Sequence, residues 1–206
     1  TDWFKELIRN NLYQKHNVSI RGGSEQTTYY ISANYTKQGG RLPGNDKQRM
    51  SLRMNLDQKL GHIGYALLSV NGGYAKTNTP NGSTSDPTQL VYELNPYETK
   101  DGGELISYPG RTYKDLMNQF SQESAAKTAG ISGSLTLNPL PGLDIAAVAG
   151  LDFLLDETEQ FTPSTSYSEM TSGIPELKRG IFAKSKNTTT NISTNIRATY
   201  NHVFPG

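Results

Sequence analysis

Residues able to do chemistry are few in this sequence, and they are scattered. The histidines are His16, His62 and His202. Two adjoin the ends of strand-like segments and His62 sits in a short turn. A zinc centre needs three or four ligands converging on one point, and this spacing gives no such group. There is no cysteine, so thiolate ligands and disulfides are excluded. Asp156, Glu157 and Glu159 gather where a strand runs into a long loop. Paired carboxylates can cleave glycosides or hold calcium, but at a strand end a solvated rim is the simpler reading. Gly72-Gly73 and Gly102-Gly103 lack the strand–loop–helix setting of a phosphate loop. No Gly-x-Ser-x-Gly elbow occurs. Sequons such as Asn81-Gly82-Ser83 are expected by chance in a chain rich in Asn and Thr. The sequence thus offers no catalytic residue, no metal site and no cofactor, and an enzyme is not expected.

One group can bind a ligand. Tyr92, Tyr97, Tyr108 and Tyr113 lie near Asn95, Asp101, Glu104 and Arg111 in one long loop. Aromatic faces stack on the C–H surface of sugars, while amides and charged groups bond the hydroxyls. The alternative is that these tyrosines pack the loop against itself or against a partner. Within the loop, Tyr113 to Ser124 reads as a short helix, with Tyr113, Leu116, Met117 and Phe120 on one face.

The elements that must position these residues are strands. Only 34% of the 206 residues are hydrophobic, all 12 tyrosines included. A globular domain has about 45–50% apolar residues with glycine counted. A membrane barrel tolerates such polarity, because every second strand residue faces a wet lumen. The net charge of +1 marks no nucleic-acid partner. No stretch approaches the ~20 apolar residues of a spanning helix, and no signal peptide is present. The expectation is an internal piece of a longer protein, opening at Thr1 and stopping just after a strand, at Phe204-Pro205-Gly206.

A short helix is expected first, capped by Thr1 or Asp2, with Trp3, Phe4, Leu7 and Ile8 at helical spacing. Alternation of period two then marks seven strands: His16–Arg21, Thr27–Lys37, Lys47–Asp57, Tyr65–Ala75, Thr128–Asn138, Leu143–Phe153 and Thr188–Tyr200. Met50, Leu52, Met54 and Leu56 against Arg49, Ser51, Arg53 and Asn55 is the clearest case. Most of these strands are near the ~9–11 residues that cross a bilayer. Short and longer connections alternate, as periplasmic turns and extracellular loops do. Tyr29, Tyr35, Tyr74, Phe153 and Tyr200 fall near strand ends on the apolar face, as an aromatic girdle would. The expected order is helix 1–13, four strands in 14–75, extracellular loop 76–127, hairpin 128–154, loop 155–186 and strand 187–202. The fold class is all-β: an antiparallel meander of about seven long strands, part of a large transmembrane barrel.

Particular residues carry a family resemblance. Thr1-Asp2-Trp3, His16-Asn17-Val18-Ser19-Ile20-Arg21-Gly22-Gly23-Ser24-Glu25, Thr28-Tyr29-Tyr30-Ile31-Ser32, Gln38-Gly39-Gly40 and Arg49–Asp57 follow in order. Over residues 1–75 the chain resembles the early barrel of a SusC/RagA-type TonB-linked transporter. The resemblance implies an outer-membrane barrel of 22 strands with a plug domain, in Bacteroidetes. It implies import of glycans or oligopeptides, energy from TonB through the plug, and a SusD-like surface lipoprotein as partner. Outer-membrane lipid would surround the wall. The plug and TonB box of the family are missing from these residues. Tyr92, Tyr97, Tyr108, Arg111 and Tyr113 would then face the ligand side. A soluble all-β carbohydrate-binding module is the rival, and a passive porin a third reading that the resemblance disfavours.

Overall fold

The computed structural model describes residues 1–42, 44–79, 87–117 and 121–201, without the side chains of 87, 88, 167 and 168. His202, Phe120, Asn81-Gly82-Ser83 and Phe204-Pro205-Gly206 lie outside them. The helix α1 (Trp3–Leu7) comes first, followed by strands β1 (Tyr13–Gly23), β2 (Thr27–Gly39), β3 (Asp46–Lys59) and β4 (Gly64–Thr79). Two more helices follow, α2 (Pro87–Glu93) and α3 (Tyr113–Met117). Strands β5 (Ser121–Leu140) and β6 (Leu143–Thr162), helix α4 (Tyr167–Thr171), a 3-10 turn at Glu176–Lys178 and strand β7 (Ile181–Tyr200) complete the order.

All seven expected strands are present, and they form one sheet in sequence order. Every pairing is antiparallel. β1 and β7 are its edges. One end carries the tight connections 24–26, 60–63 and 141–142. The other carries 40–45, 80–120 and 163–180, together with α1.

Residues directly opposite in an antiparallel ladder share a face. One row across the sheet reads Ile20, Ile31, Met54, Val70, Ile131, Leu151, Ile192. One residue along, the row reads Arg21, Tyr30, Asn55, Ser69, Ser132, Gly150, Ser193. The sheet thus has an apolar face and a polar face. No apolar side chain of the strands is fully buried among the described residues.

The strands run further than alternation predicts, and the extra length lies mostly at the long-loop end. The loops expected at 76–127 and 155–186 lose their flanks to β4, β5, β6 and β7. In these extensions polar residues fill most of both faces up to the opposed pair Phe161 and Phe182, so the alternation disappears while the pairing continues. On the formerly apolar face, ion pairs join the strands instead. Lys76 meets Glu123 at 2.7 Å, Glu157 takes Lys127 at 3.3 Å and Lys186 at 3.7 Å, and Lys184 meets Glu159 at 3.1 Å. The acidic group Asp156, Glu157 and Glu159 is split by the pleat, with Asp156 alone on the polar face. The aromatic girdle is only partly at strand ends: Phe153 sits near the middle of β6, because that strand continues to Thr162. The expected helix from Tyr113 to Ser124 ends at Met117, and Ser121–Ser124 belongs to β5.

β5 also continues through Pro139, by a bulge between Leu137 and Leu140. A proline cannot donate to the ladder, and a bulge accommodates it. The hairpin closes at Pro141-Gly142, where Gly142 has φ +85°. That value belongs to the third residue of a type II turn, which Pro141 presets. A Cβ on Gly142 would come within 2.2 Å of the Asn201 carbonyl oxygen. Gly142→Val is expected to destabilise the β5–β6 hairpin by about 2 kcal/mol or more. Hydrogen exchange should show faster opening of that turn while the turn at 24–26 is unchanged.

Candidate functional site

The long-loop end is a folded cap with its own core. Trp3 and Leu7 of α1, Leu90 and Leu94 in and after α2, Leu105, and Leu116 of α3 are all buried and form one cluster. Asp2 caps α1 by accepting the Lys5 N–H at 3.2 Å. Of the helix's four expected apolar residues only Trp3 and Leu7 are buried, and Phe4 is exposed. The Trp3 indole stacks on Tyr113 at 5.3 Å and donates to the Asn95 carbonyl at 2.8 Å. Lys100 pairs with Glu6 at 3.1 Å, which raises the lysine pKa. So the first residues of the chain are tied to the loop between β4 and β5.

Hydrogen bonds set the loop backbone. The buried Glu98 carboxylate accepts the N–H groups of Asn95 at 2.9 Å and Ser107 at 2.6 Å, and the Ser107 hydroxyl at 3.1 Å. Helix α3 opens with a capping box. Asp115 accepts the Thr112 N–H and hydroxyl, both at 2.8 Å, and its own N–H donates to the Thr112 hydroxyl oxygen at 3.3 Å. Those two bonds, the backbone one first, hold the Asp115 carboxyl below its ordinary pKa. Burial pushes the Tyr113 phenol up.

The five candidate residues separate into two groups. Tyr108 and Tyr113 pack on the cap core, and the Tyr108 hydroxyl donates to Glu93. The Arg111 guanidinium contacts the Met170 sulfur at 3.2 Å, linking this loop to the one between β6 and β7. Tyr92 and Tyr97 instead stand in solvent, 87% and 92% exposed. Sequence reasoning passed over α2. Its signal was Pro87, favoured at a first helical position, followed by Leu90, Val91 and Leu94 at helical spacing.

A second surface, the polar face of the sheet, was not singled out from sequence. On β1 and β3 it carries Lys15, Arg21, Lys47, Arg49, Arg53 and Lys59 against the single carboxylate Asp57. On β4 and β5 it carries no charge, and on β6 it carries Asp144, Asp152 and Asp156. The six cations and three β6 carboxylates form no ion pair with one another among the described residues. A hollow of about 620 Å³ lies over Asn17, Tyr30, Asn34, Arg49, Arg53 and Asn71. Among the described residues no three of His, Asp and Glu converge closely enough to hold a metal ion.

With this geometry, likeness to known proteins is informative. No protein-family model matches the chain. The TonB-dependent receptor SusC of Bacteroides thetaiotaomicron is 29% identical over 111 residues, covering 50% of this chain and 11% of SusC. The RagAB peptide importer in its closed-closed state superposes with a TM-score of 0.73 at 20% identity, over 99% of this chain and 24% of that one. The RagAB peptide transporter gives 0.63 at 22% identity, over 78% and 20%. The chain resembles the barrel wall of a SusC/RagA-type TonB-linked transporter. It spans about a tenth of SusC and a quarter of the RagAB chain. The SusC/RagA-like wall is all-β, an antiparallel meander, and its sheet does not close on itself. These relatives are named as a receptor, an importer and a transporter.

Two outcomes test the cap. Trp3 is the sole tryptophan, so its emission reports the cap alone. Trp3→Ala should cost about 3–5 kcal/mol of cap stability and expose residues 87–117 to protease while the strands stay protected. Acid should loosen the start of α3. The Asp115 pKa is depressed on folding, so its contribution is present above the unfolded value and lost as pH falls through the folded one. Trp3 emission, sensitive to the α3 contact through Tyr113, should shift over that acid range in the native chain. Asp115→Asn should remove this transition.

Proposed function

We propose that this chain is a wall segment of a TonB-dependent transporter that imports glycans or oligopeptides across the bacterial outer membrane. One observation carries the reading: seven long paired strands present an apolar face that nothing among the described residues covers. In water such a face would drive aggregation, whereas in a bilayer it is the lipid contact. A soluble carbohydrate-binding module would need a second layer over that face, and the described residues supply none. No helix among them is long and apolar enough to cross a membrane, so strands do the crossing in this reading.

The apolar band also slants. On β1 its residues are Val18 and Ile20, whose rows reach Thr190 and Ile192 on β7. On β7 the band instead runs from Ile192 to Tyr200, centred on Ile196. That centre lies four to six residues beyond the rows of Val18 and Ile20. At ~3.4 Å per residue the drift is about 17 Å, over six strand steps of ~4.8 Å each, a slant of about 30°. Strands of membrane barrels tilt by ~35–45°. With the short turns on the periplasmic side, the cap is extracellular and the polar face lines the lumen. Tyr92 and Tyr97 offer free aromatic faces there, to a ligand or to a SusD-like lipoprotein. Tyr108, Arg111 and Tyr113 shape the cap beneath them. TonB would act through a plug domain.

The test pairs two neighbouring positions on β5. Ile131→Arg places a charge on the apolar face near the middle of the band and should cost about 2–4 kcal/mol of membrane stability. Ser132→Arg, on the polar face, should cost little. The heat-modifiable band of the complete transporter in isolated outer membranes reads both. Equal tolerance of the two would refute the membrane reading.

A further inference from the structure

The apolar face of the sheet is not smooth. A hollow of about 440 Å³ lies on it across β1 to β4. His16, Tyr35 and Tyr74, in one row, form its rim toward the cap. The His16 and Tyr35 rings stack there at 6.2 Å. The next row on the same face, Val18, Ala33, Leu52 and Gly72, forms the floor.

Gly72 keeps that floor low, and nothing among the described residues asks for it. A Cβ on Gly72 would meet only the Thr128 carbonyl oxygen, at 3.8 Å. On the polar face the neighbouring Gly73 differs, because a Cβ there would lie 2.6 Å from the Thr128 hydroxyl oxygen. A glycine inside a strand costs conformational entropy and leaves no side chain to pack. It suits a place where something from outside the strand comes close.

Charge says what comes close. One row past the rim, Lys37 stands exposed on the same face between Gln14 and Gln48. β1 and β2 contain no acidic residue. On β3 this face carries one carboxylate, Asp46, which accepts the Asn78 amide at 3.0 Å. Beyond the strand ends Arg9 and Arg41 are exposed, joined by a backbone hydrogen bond of 2.7 Å. Neither they nor Lys37 form an ion pair among the described residues. Across β5 to β7 the lysines of this face are instead matched by Glu157 and Glu159. The unneutralised positive charge therefore lies beside the hollow. Tyrosines mark the level where acyl chains give way to headgroups, and basic side chains at that level attract anionic headgroups.

We propose that the hollow seats an acyl chain of one membrane lipid whose phosphorylated headgroup lies on Lys37. Arg9 and Arg41 add to the positive field above it. This lipid is held at a fixed place on the wall, unlike the lipid that merely surrounds it. The inference rests on the membrane reading above.

The probes are dioleoyl phosphatidate, dioleoylglycerol and glycerol 3-phosphate, offered to the complete transporter in detergent. Native mass spectrometry reads what is retained. Phosphatidate should be held about tenfold better than dioleoylglycerol, as one charge-assisted contact would give, and glycerol 3-phosphate should not be held. Lys37→Gln should abolish the preference for phosphatidate and leave dioleoylglycerol unchanged. Gly72→Leu, for which the backbone has room, should fill the floor and weaken both lipids. Lys186→Gln, on a lysine matched by Glu157, should change neither. Equal retention of the two lipids by the native protein, or a preference that survives Lys37→Gln, would overturn the site. So would retention unmoved by Gly72→Leu. A dimer that holds no lipid and parts on Gly72→Leu would give the hollow to a second copy and overturn it too. Insertion of the same preparation into lipid vesicles, read by heat modifiability, separates the two levels. Inserted protein without headgroup preference defeats only the lipid site, and failure to insert defeats the membrane reading and the site with it.

Discussion

An antiparallel ladder satisfies the backbone of a strand on both sides but leaves its side chains to find their own surroundings. In this chain six consecutive pairings join seven strands, and among the described residues no second layer lies over the result. The sheet therefore depends on the difference between its two faces. A row that reads Ile20, Ile31, Met54, Val70, Ile131, Leu151 and Ile192 needs an apolar neighbour. The row beside it, from Arg21 to Ser193, needs water or polar contacts. A shift of one residue in any pairing would exchange the two. Register is thus held by the surroundings on both sides rather than by a packed interior.

The fully buried apolar side chains sit in the cap, away from the apolar face of the sheet. Above the apolar band both faces of the strands turn polar, and the ion pairs from Lys76 to Lys186 hold the strands across the gap. Such exposed pairs contribute little each, and just past them the opposed Phe161 and Phe182 stay exposed on the same face. Beyond them the chain needs an ordinary core, and Trp3, Leu7, Leu90, Leu94, Leu105 and Leu116 provide it. The polarity excess in the composition follows from this division.

How much could be read from sequence follows the same line. The seven strands were legible where one face is apolar, because period two shows only as a contrast. Ser121–Lys127, Asp156–Gln160 and Lys184–Asn187 pair as well as the rest, but with polar residues on both sides they resemble a loop. The cap was half legible. Trp3 and Leu7 announce a helix, yet nothing local says that Trp3 will stack on Tyr113 more than a hundred residues later. The candidate tyrosines could be found by type but not sorted. Tyr108 and Tyr113 pack on the cap core while Tyr92 and Tyr97 stand in solvent, and that depends on how the loop folds onto Trp3 and Leu7.

Charge placement on the polar face is illegible for a stricter reason. Arg49 and Asp156, or Arg53 and Asp152, are about a hundred positions apart, and no spacing rule connects them. Their alignment depends on three successive registers, β3 to β4, β4 to β5 and β5 to β6. Each register is fixed by the apolar residues on the opposite face. Met54, Val70, Ile131 and Leu151 therefore decide which arginine faces which aspartate, although they never touch either. A substitution on the apolar face that slipped one pairing would break the charge rows while leaving every charged residue in place. The two faces of this wall share one register, and the chemistry of the polar side is positioned by the packing of the apolar side.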